Sequence, residues 1–377
     1  MANWNESVVT YRRELHQIPE LGFQEKQTSQ FLIDTLHHLG LDPVRIADTG
    51  VMVDVVGNRP GPCVAVRADM DGLPLEEDTG LPFCSRHPGV MHACGHDGHM
   101  AIALALASRL QDQRDFPGKV RVFFQPAEEK PPGGAPKMIA GGCLEGVDEV
   151  LGLHLWAGDP VGTVGIRSGP LMANADQFTI RIQGKGGHGS EPADTKDAIL
   201  IASMIVMNLQ TIVSRRLNAF DTAVVSCGTI RGGATFNIIA ETAEITGTVR
   251  TLSKTIQDRI IHEIQHIAHA TAQLYDAEAT VTYQYGYPAV VNHEASVNRI
   301  EEAIRSVVDV FHPDPAMGGE DFAYYLQEKS GAFFFLGCRP EGESFPHHSP
   351  HFQINENALP LGVDVLFRCA MNFLEGR

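Results

Sequence analysis

CVAVRAD (63–69), a helix-like run from about His99 to Gln111, and VRVFFQPAE (120–128) decide the fold. The outer segments are short apolar, β-branched runs and the middle one has helical apolar spacing, so the stretch reads strand, helix, strand. The same alternation continues outward. VMVDVV (51–56) precedes it, EVLGLHLW (149–156) follows, and AFFFLG (332–337) lies near the end with a final helix behind it. Two helical segments, 5–17 and 25–40, open the chain and are broken by Ile18-Pro19-Glu20-Leu21-Gly22. Strands alternating with helices predict an α/β class: a mixed, largely parallel sheet with helices on both faces.

The middle of the chain has a different order. QFTIRIQ (177–183) is followed by a helix over about 194–216, then TAVVSCGTI (222–230), ETAEITGTVR (241–250), a helix over about 255–275 and ATVTYQY (279–285). That is βαββαβ, a ferredoxin-like α+β unit. It is self-contained, so the expectation is an inserted domain at 177–291 within a discontinuous domain of 1–176 and 292–377.

The 377 residues suffice for two cored domains, and 43% hydrophobic with 20% charged residues is ordinary for a globular protein. A net charge of −17 argues against nucleic acid and anionic membrane as partners. It says little about a small substrate, because one basic residue can reverse the field inside a cleft. The N-terminal MANWNESVVTYRRELHQIPE has no apolar core of a signal peptide, and no apolar run is long enough to span a bilayer. Seven scattered cysteines then point to free thiols in a reducing, cytoplasmic setting.

The chemistry collects where strands end. Asp69 and Asp71 follow CVAVR, Glu128 and Glu129 follow VRVFFQPA, and His154 sits in EVLGLHLW. In open α/β sheets ligands bind outside the carboxyl ends of strands, so residues distant in sequence can converge there. His92-Ala93-Cys94-Gly95-His96-Asp97 adds a thiol, two imidazoles and a carboxylate at the start of a helix, a mixture suited to borderline-soft metals. Each residue also has an ordinary reading. Adjacent acids commonly form a solvated face, a lone histidine in a strand is commonly a core residue, and a lone cysteine is a buried apolar thiol. Two adjacent carboxylates, however, allow one to bind metal while the other takes a proton. His92 and His99 read as supporting or helix-surface residues. Pro346-His347-His348-Ser349-Pro350-His351 is a second histidine group that follows a strand.

Two other motifs are discounted. His262-Glu263-Ile264-Gln265-His266 fits H-E-x-x-H, but its helix places the isoleucines on one face and the histidines on another, with no third ligand following. Gly184–Gly189 fits G-x-G-x-x-G but lacks the acid about 20 residues on that would hold a ribose.

Nine stretches in one order carry a resemblance: RRELHQIPELGFQE (12–25), RADMDGLP (67–74), MHACGHDGHMA (91–101), FQPAEE (124–129), GLHLW (152–156), GKGGHGSEP (184–192), NIIAETAEITGTVR (237–250), MGGEDFAYY (317–325) and HHSPHF (347–352). The chain resembles the dinuclear metallo-amidohydrolases that include aminoacylases, hippurate hydrolase, auxin-conjugate hydrolases and N-acetyldiaminopimelate deacetylase. The resemblance implies hydrolysis of N-acyl amino acids with two divalent ions per subunit (Zn, Mn, Co or Ni). It implies Cys94, His96, Glu129, His154 and His348 as metal ligands and Glu128 as general base, with Asp69 or Asp71 orienting a ligand histidine or otherwise supporting the site. It places His188, Asn237, Arg250, Gly318 and Gly319 around the substrate. It also implies a homodimer or dimer-based oligomer formed through the inserted lid and dimerisation domain, with His188 reaching the neighbouring subunit's site in some relatives. Gly189-Ser190-Glu191 departs from the smaller or apolar residues of many relatives. The alternatives are a dipeptidase or aminopeptidase of the same superfamily, and a non-catalytic metal-dependent binding protein.

Overall fold

The structure, a computed structural model, describes residues 4–376, which divide into two compact units. The first comprises the chain up to Leu171, Val290–Asp314, and the chain from Asp321 on. It holds α1 (Trp4–His16), α2 (Lys26–His38), β1 (Val44–Ile46), β2 (Gly50–Val56), β3 (Arg59–Asp69), α3 (His96–Asp112), β4 (Pro117–Gln125), β5 (Glu149–Trp156), β6 (Thr163–Gly165), β7 (Asp309–Phe311), α4 (Ala323–Glu328), β8 (Ser330–Gly337) and α5 (Ala358–Glu375). The strands form one sheet in the order β1-β2-β4-β3-β5-β8-β6-β7. β3 runs parallel to β4 and β5, β8 to β5, and β7 to β6, while β1–β2, β2–β4 and β8–β6 are antiparallel. The sheet is therefore mixed and largely parallel.

Both faces are covered, which is why the central strands read as continuous apolar runs. Val120, Val122 and Phe124 of β4, Leu151, Leu153 and Leu155 of β5 and Phe334 of β8 join the helices α1, α2, α3 and α5 in one core. On the other face a Cβ at Gly152 would lie 2.7 Å from both Phe322 and Phe333. Phe322 begins α4, and its ring lies 4.9 Å from Phe333 and 5.5 Å from Tyr325.

The second unit is Met172–Ala289 with Pro315–Glu320. Its main sheet has four antiparallel strands in the order Ala223–Gly232, Thr242–Thr251, Asp176–Gln183, Glu278–Gln284. The helices Ala198–Leu209 and Lys254–Leu274 complete βαββαβ and bury Ile201, Ile205, Ile260 and Ile264 against Phe178, Ile180 and Ile245. Pro315–Glu320 folds onto this unit because Ala173 N–H donates to Ala316 O at 3.0 Å and Gly319 packs on Ala175 and Tyr287.

Two expected segments differ. The helix expected over 194–216 starts only at Ala198, where Asp197 caps it by accepting from the Ile199 and Leu200 N–H groups, and gives way to a π-turn over Ile212–Arg216. The strand expected to reach residue 128 stops at Gln125, because Pro126 offers no N–H and Ala127 turns left-handed with φ +55°. His262, His266 and His269 lie exposed on the helix face opposite buried Ile260, Ile264 and Ile267.

Candidate metal centre

Three parallel strands end level with one another. Asp69 pairs with Gln125, and Arg67 pairs with Gly152, so His154 stands at the height of Asp69. The chain after β3 carries Asp71, the chain after β4 carries Glu128 and Glu129, and α3 begins at His96 beside them. Gly95 turns into that helix with φ +90°, a left-handed conformation that favours glycine. Gly98 allows α3 to approach β5, since a Cβ there would lie 2.4 Å from Leu155 Cδ1. The result sets Cys94 Sγ 3.5 Å from His154 Nε2. His348 arrives on a distant loop, held by its N–H to Ala93 O at 2.8 Å, and its Nε2 lies 3.0 Å from Glu129 Oε1.

Donor atoms of Cys94, His96 and His154 lie within 4.8 Å of one another, as do those of Cys94, Glu129 and His348, and those of His96, Glu128 and Glu129. The structure thus brings together the five residues implied as ligands and the acid implied as base.

The two aspartates divide the support. Asp71 accepts the Glu128 N–H at Oδ1 and the Glu129 N–H at Oδ2, both at 3.0 Å, while its backbone carbonyl takes His96 Nδ1 at 3.0 Å. His96 Nδ1 is thereby committed to that carbonyl, which leaves Nε2 as the nitrogen that can act as a ligand once its proton is displaced. Asp69 pairs with Arg67 and with His99 Nδ1 at 2.6 Å, and His99 Nε2 accepts the Leu155 N–H at 2.8 Å. His99 is thus a buried support. Asp97 turns to Arg12 Nε and His16 Nδ1, each at 2.8 Å, anchoring the start of α3. His92 is buried, burial pushes it down to about 3, and neither ring nitrogen has a partner.

The electrostatics suit a cation. Burial, followed by Glu129, Glu128 and Asp69, raises the Cys94 thiol well above its ordinary range. Burial would depress His96, but Asp69, Asp71 and Glu129 outweigh it and push it up to about 10. His154 is held well below the ordinary range by burial and by the imidazoles of His99 and His347. Four carboxylates face a thiol that resists ionisation and a histidine that holds a proton, so the pocket favours positive charge. His96 Nε2 is buried with no hydrogen-bond partner and lies 4.0 Å from Glu128 Oε2. A thiol, imidazoles and carboxylates buried together, with His96 Nε2 lacking a partner, form a donor set that fits a borderline divalent metal able to displace the Cys94 and His96 protons.

Sequence reasoning gave no role to Glu25, Arg67 or Asp321, and noted His347 only as part of the histidine group 346–351. Arg67 donates to Asp69, to Gln125 Oε1 at 2.9 Å and to Asp321 Oδ1 at 2.9 Å, all buried. An arginine inside an apolar strand was the available signal. His347 packs its ring 5.2 Å from His154 and 4.9 Å from Trp156.

The remaining expected residues belong to the second unit. His188 and Asn237 lie on a short ribbon in which His188 pairs with Ile238 and Gly189 N–H donates to Asn237 O at 2.9 Å. Both are exposed. Ser190 N–H donates to His188 Nδ1 at 3.2 Å, so the proton sits on Nε2. Arg250 is half-buried, donates from Nη1 to Val249 O at 3.1 Å and to Thr248 Oγ1, and among the described residues makes no ion pair. Gly319 has a packing reason, since a Cβ would meet Ala175 Cβ at 2.8 Å, and a Cβ at Gly318 would lie 3.4 Å from Met172 Cε.

An α/β sheet whose strand ends gather a thiol, imidazoles and paired acids defines a class of proteins built around a metal-ligating centre. The chain belongs to peptidase family M20/M25/M40, whose model matches residues 65–372. It is similar to the N-acetyl-L-cysteine deacetylase of Bacillus subtilis (strain 168), with 40% identity over 100% of this chain and 90% of that protein. It is also similar to the N-acetyldiaminopimelate deacetylase of Anoxybacillus flavithermus, with 40% identity over 96% of each. Among solved structures it resembles a Bacillus subtilis protein described as a dinuclear metal binding peptidase of the M20 family, with TM-score 0.89, 35% identity and 99% of both chains covered.

Proposed function

We propose that this protein is a metal-dependent amidohydrolase that cleaves the amide bond of N-acyl amino acids to a carboxylate and a free amino acid. The observation that carries the reading is the convergence of the acid pair Glu128-Glu129 with a five-residue donor set at one sheet edge. Binding alone has no use for the unliganded acid of that pair. Two relatives at equal identity remove acetyl groups from different amino acids, which supports N-acetyl amino acids as the class, with N-acetyldiaminopimelate one member and N-aroyl amino acids close in chemistry.

Cys94, His96, Glu129, His154 and His348 would hold two divalent ions, from among zinc, manganese, cobalt and nickel. When bound, such ions supply Lewis acidity, polarising the amide carbonyl and acidifying the attacking water. Glu128 takes the proton of that water at its carboxylate and returns it to the amide nitrogen, which leaves as an amine. The C–O bond forms first as the carbonyl π pair moves onto oxygen as an oxyanion; when that pair returns, the C–N bond breaks to the protonated nitrogen, and one water is consumed. Asp71 holds the turn that aims Glu128, and Asp69 holds His99 behind the donor set. His188, with its proton on Nε2, can donate to the oxyanion, and the guanidinium of Arg250, whose described bonds use only Nη1 and go to uncharged oxygens, suits a substrate carboxylate. Asn237 and the Gly318 and Gly319 amides complete the substrate contacts.

In this reading residues 1–176 and 292–377 form the catalytic domain, and 177–291 form a lid that also dimerises. Dimerisation is supported by Leu200, Met204 and Met207, spaced i, i+4, i+7 on one helix and 47%, 37% and 66% exposed, in the same unit as the sheet-edge strand Ala223–Gly232. Seven free cysteines fit a reducing cytoplasm, and among the described residues no helix is long and apolar enough to cross a membrane.

The test is amine release from N-acetyl amino acids, N-benzoyl amino acids and dipeptides, with each metal and with chelator. Hydrolysis of the N-acyl series that chelation abolishes and metal restores is expected. Preference for dipeptides with a free α-amino group, or turnover indifferent to chelation, refutes the proposal.

A further inference from the structure

Glu25 is fully buried, yet it belongs to no strand end and to none of the donor groups. It stands at the N-terminal boundary of α2 but makes no side-chain cap there. Its carboxylate turns inward. Oε1 accepts the Ala127 N–H at 2.9 Å, and Oε2 accepts the Thr49 hydroxyl at 2.7 Å.

Ala127 is the residue before Glu128, and its φ of +55° is uncommon for any residue with a Cβ. The next two amides, of Glu128 and Glu129, are the ones accepted by Asp71. Three consecutive N–H groups of one turn therefore end on two carboxylates, an arrangement in which successive amides form an anion-binding concavity. The packing is close as well: a Cβ at Gly22 would lie 2.9 Å from Ala127 Cβ and 3.3 Å from Asp71 Oδ2. An apolar residue at 25 could fill the space. Only a polar group long enough to reach both, with an oxygen for the Ala127 N–H, serves Ala127 and Thr49 together.

We infer that Glu25 is a positioning residue for amide hydrolysis: by accepting the Ala127 N–H it locks the turn left-handed and so sets the direction in which Glu128 presents its carboxylate. This rests on reading Glu128 as the general base. Glu25 bonds to Ala127 and Thr49 and belongs to none of the donor groups. It acts through the backbone of residue 127, and Asp71 completes the lock from the other side.

The variants Glu25→Gln, Glu25→Asp and Glu25→Ala separate geometry from charge. Gln keeps the length and an amide oxygen for Ala127, and its NH2 can meet the Thr49 oxygen. Asp keeps the charge but is one methylene too short. Each metal-loaded full-length variant is assayed for kcat and KM on N-acetylmethionine, for bound metal, and for its melting curve. A misaimed base at about 1 Å predicts a loss of roughly 10²-fold in kcat. We expect that loss in Asp and Ala, with KM within about twofold of the parent, metal content retained, and most of kcat restored in Gln. If Ala fails to fold, the Gln and Asp pair decides. Asp turning over as fast as Gln, or Ala turning over like the parent, overturns the inference. Glu128→Gln, run alongside, isolates the underlying reading: an active Glu128→Gln removes the base assignment whatever the Glu25 series shows.

Discussion

Asp71→Asn tests the division of labour between the aspartates. Asn keeps the backbone carbonyl that receives His96 Nδ1, so the orientation of His96 survives. What changes is the pair of bonds to the Glu128 and Glu129 amides, each 3.0 Å long. Asn offers one oxygen, and its NH2 faces the other amide, donor against donor. A charged-acceptor bond contributes about 1.5–3 kcal/mol, and a buried N–H left without a partner costs about 1–3 kcal/mol more. Removing one of several neighbouring negative charges offsets part of this, so a net loss of about 3 kcal/mol is expected. In a unit of this size that lowers Tm by roughly 6–12 °C. Calorimetry on chelator-treated protein reads the stability, and turnover of metal-loaded protein reads the aim of Glu128. We expect a lower Tm, metal content close to the parent, and kcat reduced by about 10²-fold. A Tm within a degree of the parent together with full turnover would show that the carboxylate of Asp71 holds nothing, and the reasoning falls.

Other outcomes follow from the same geometry. Glu128→Gln should retain bound metal and lose turnover by about 10²–10⁴-fold, the range of a general base; elemental analysis beside a rate assay reads both. Cys94→Ala removes the donor shared by two of the three-residue groups and should lower metal stoichiometry, so unchanged stoichiometry would strike Cys94 from the ligand set. Burial raises Glu25 from 4.5 to about 6, so the native carboxyl holds its proton more tightly than the unfolded one. Its contribution to stability is then highest below pH 4.5 and is lost as pH rises through 6, a change of about 2 kcal/mol by linkage. Glu25→Gln should therefore gain by about that amount on its parent between pH 4 and pH 8 in urea denaturation, and a pH-independent difference would refute the assignment.

The sheet was readable because its strands are short, apolar on both faces and separated by clear helical spacing. Their lateral order was not: AFFFLG lies beside EVLGLHLW, far away in sequence, and only packing decides that adjacency. At the site, residue types at strand ends picked out the donor cluster, since Cys94, His154 and the Glu128-Glu129 pair carry chemistry in their side chains alone. The roles of Asp69 and Asp71 stayed open because hydrogen bonds at a bent backbone separate them, and the bend at Ala127 followed from neither propensity nor spacing. Glu25 was invisible for the same reason. It sits in a loop with ordinary composition, and its partner is an amide 102 residues away. Ser190 shows the converse, where a noted departure acquires a role by fixing the His188 tautomer.

The donor groups also differ in how firmly the fold holds them. Cys94, His96 and His154 are all buried and stand on a helix start and a central strand, so their geometry is fixed before any ion arrives. His348 is different: its side chain is 53% exposed, φ is +65°, and it comes from a loop held at that residue by one backbone hydrogen bond to Ala93. Pre-organised donors bind more tightly because little freedom is lost on binding. On the proposed reading Cys94, His96 and His154 would therefore contribute strongly to metal affinity and His348 more weakly. On the same reading substrate would enter from the exposed side, and Glu128 shares a donor group with His96 and Glu129. The carboxylate brace on the Glu128 turn then has a physical reason on that reading: the proposed base would keep its aim although His348, on the other side of Glu129, is the least buried of the donors.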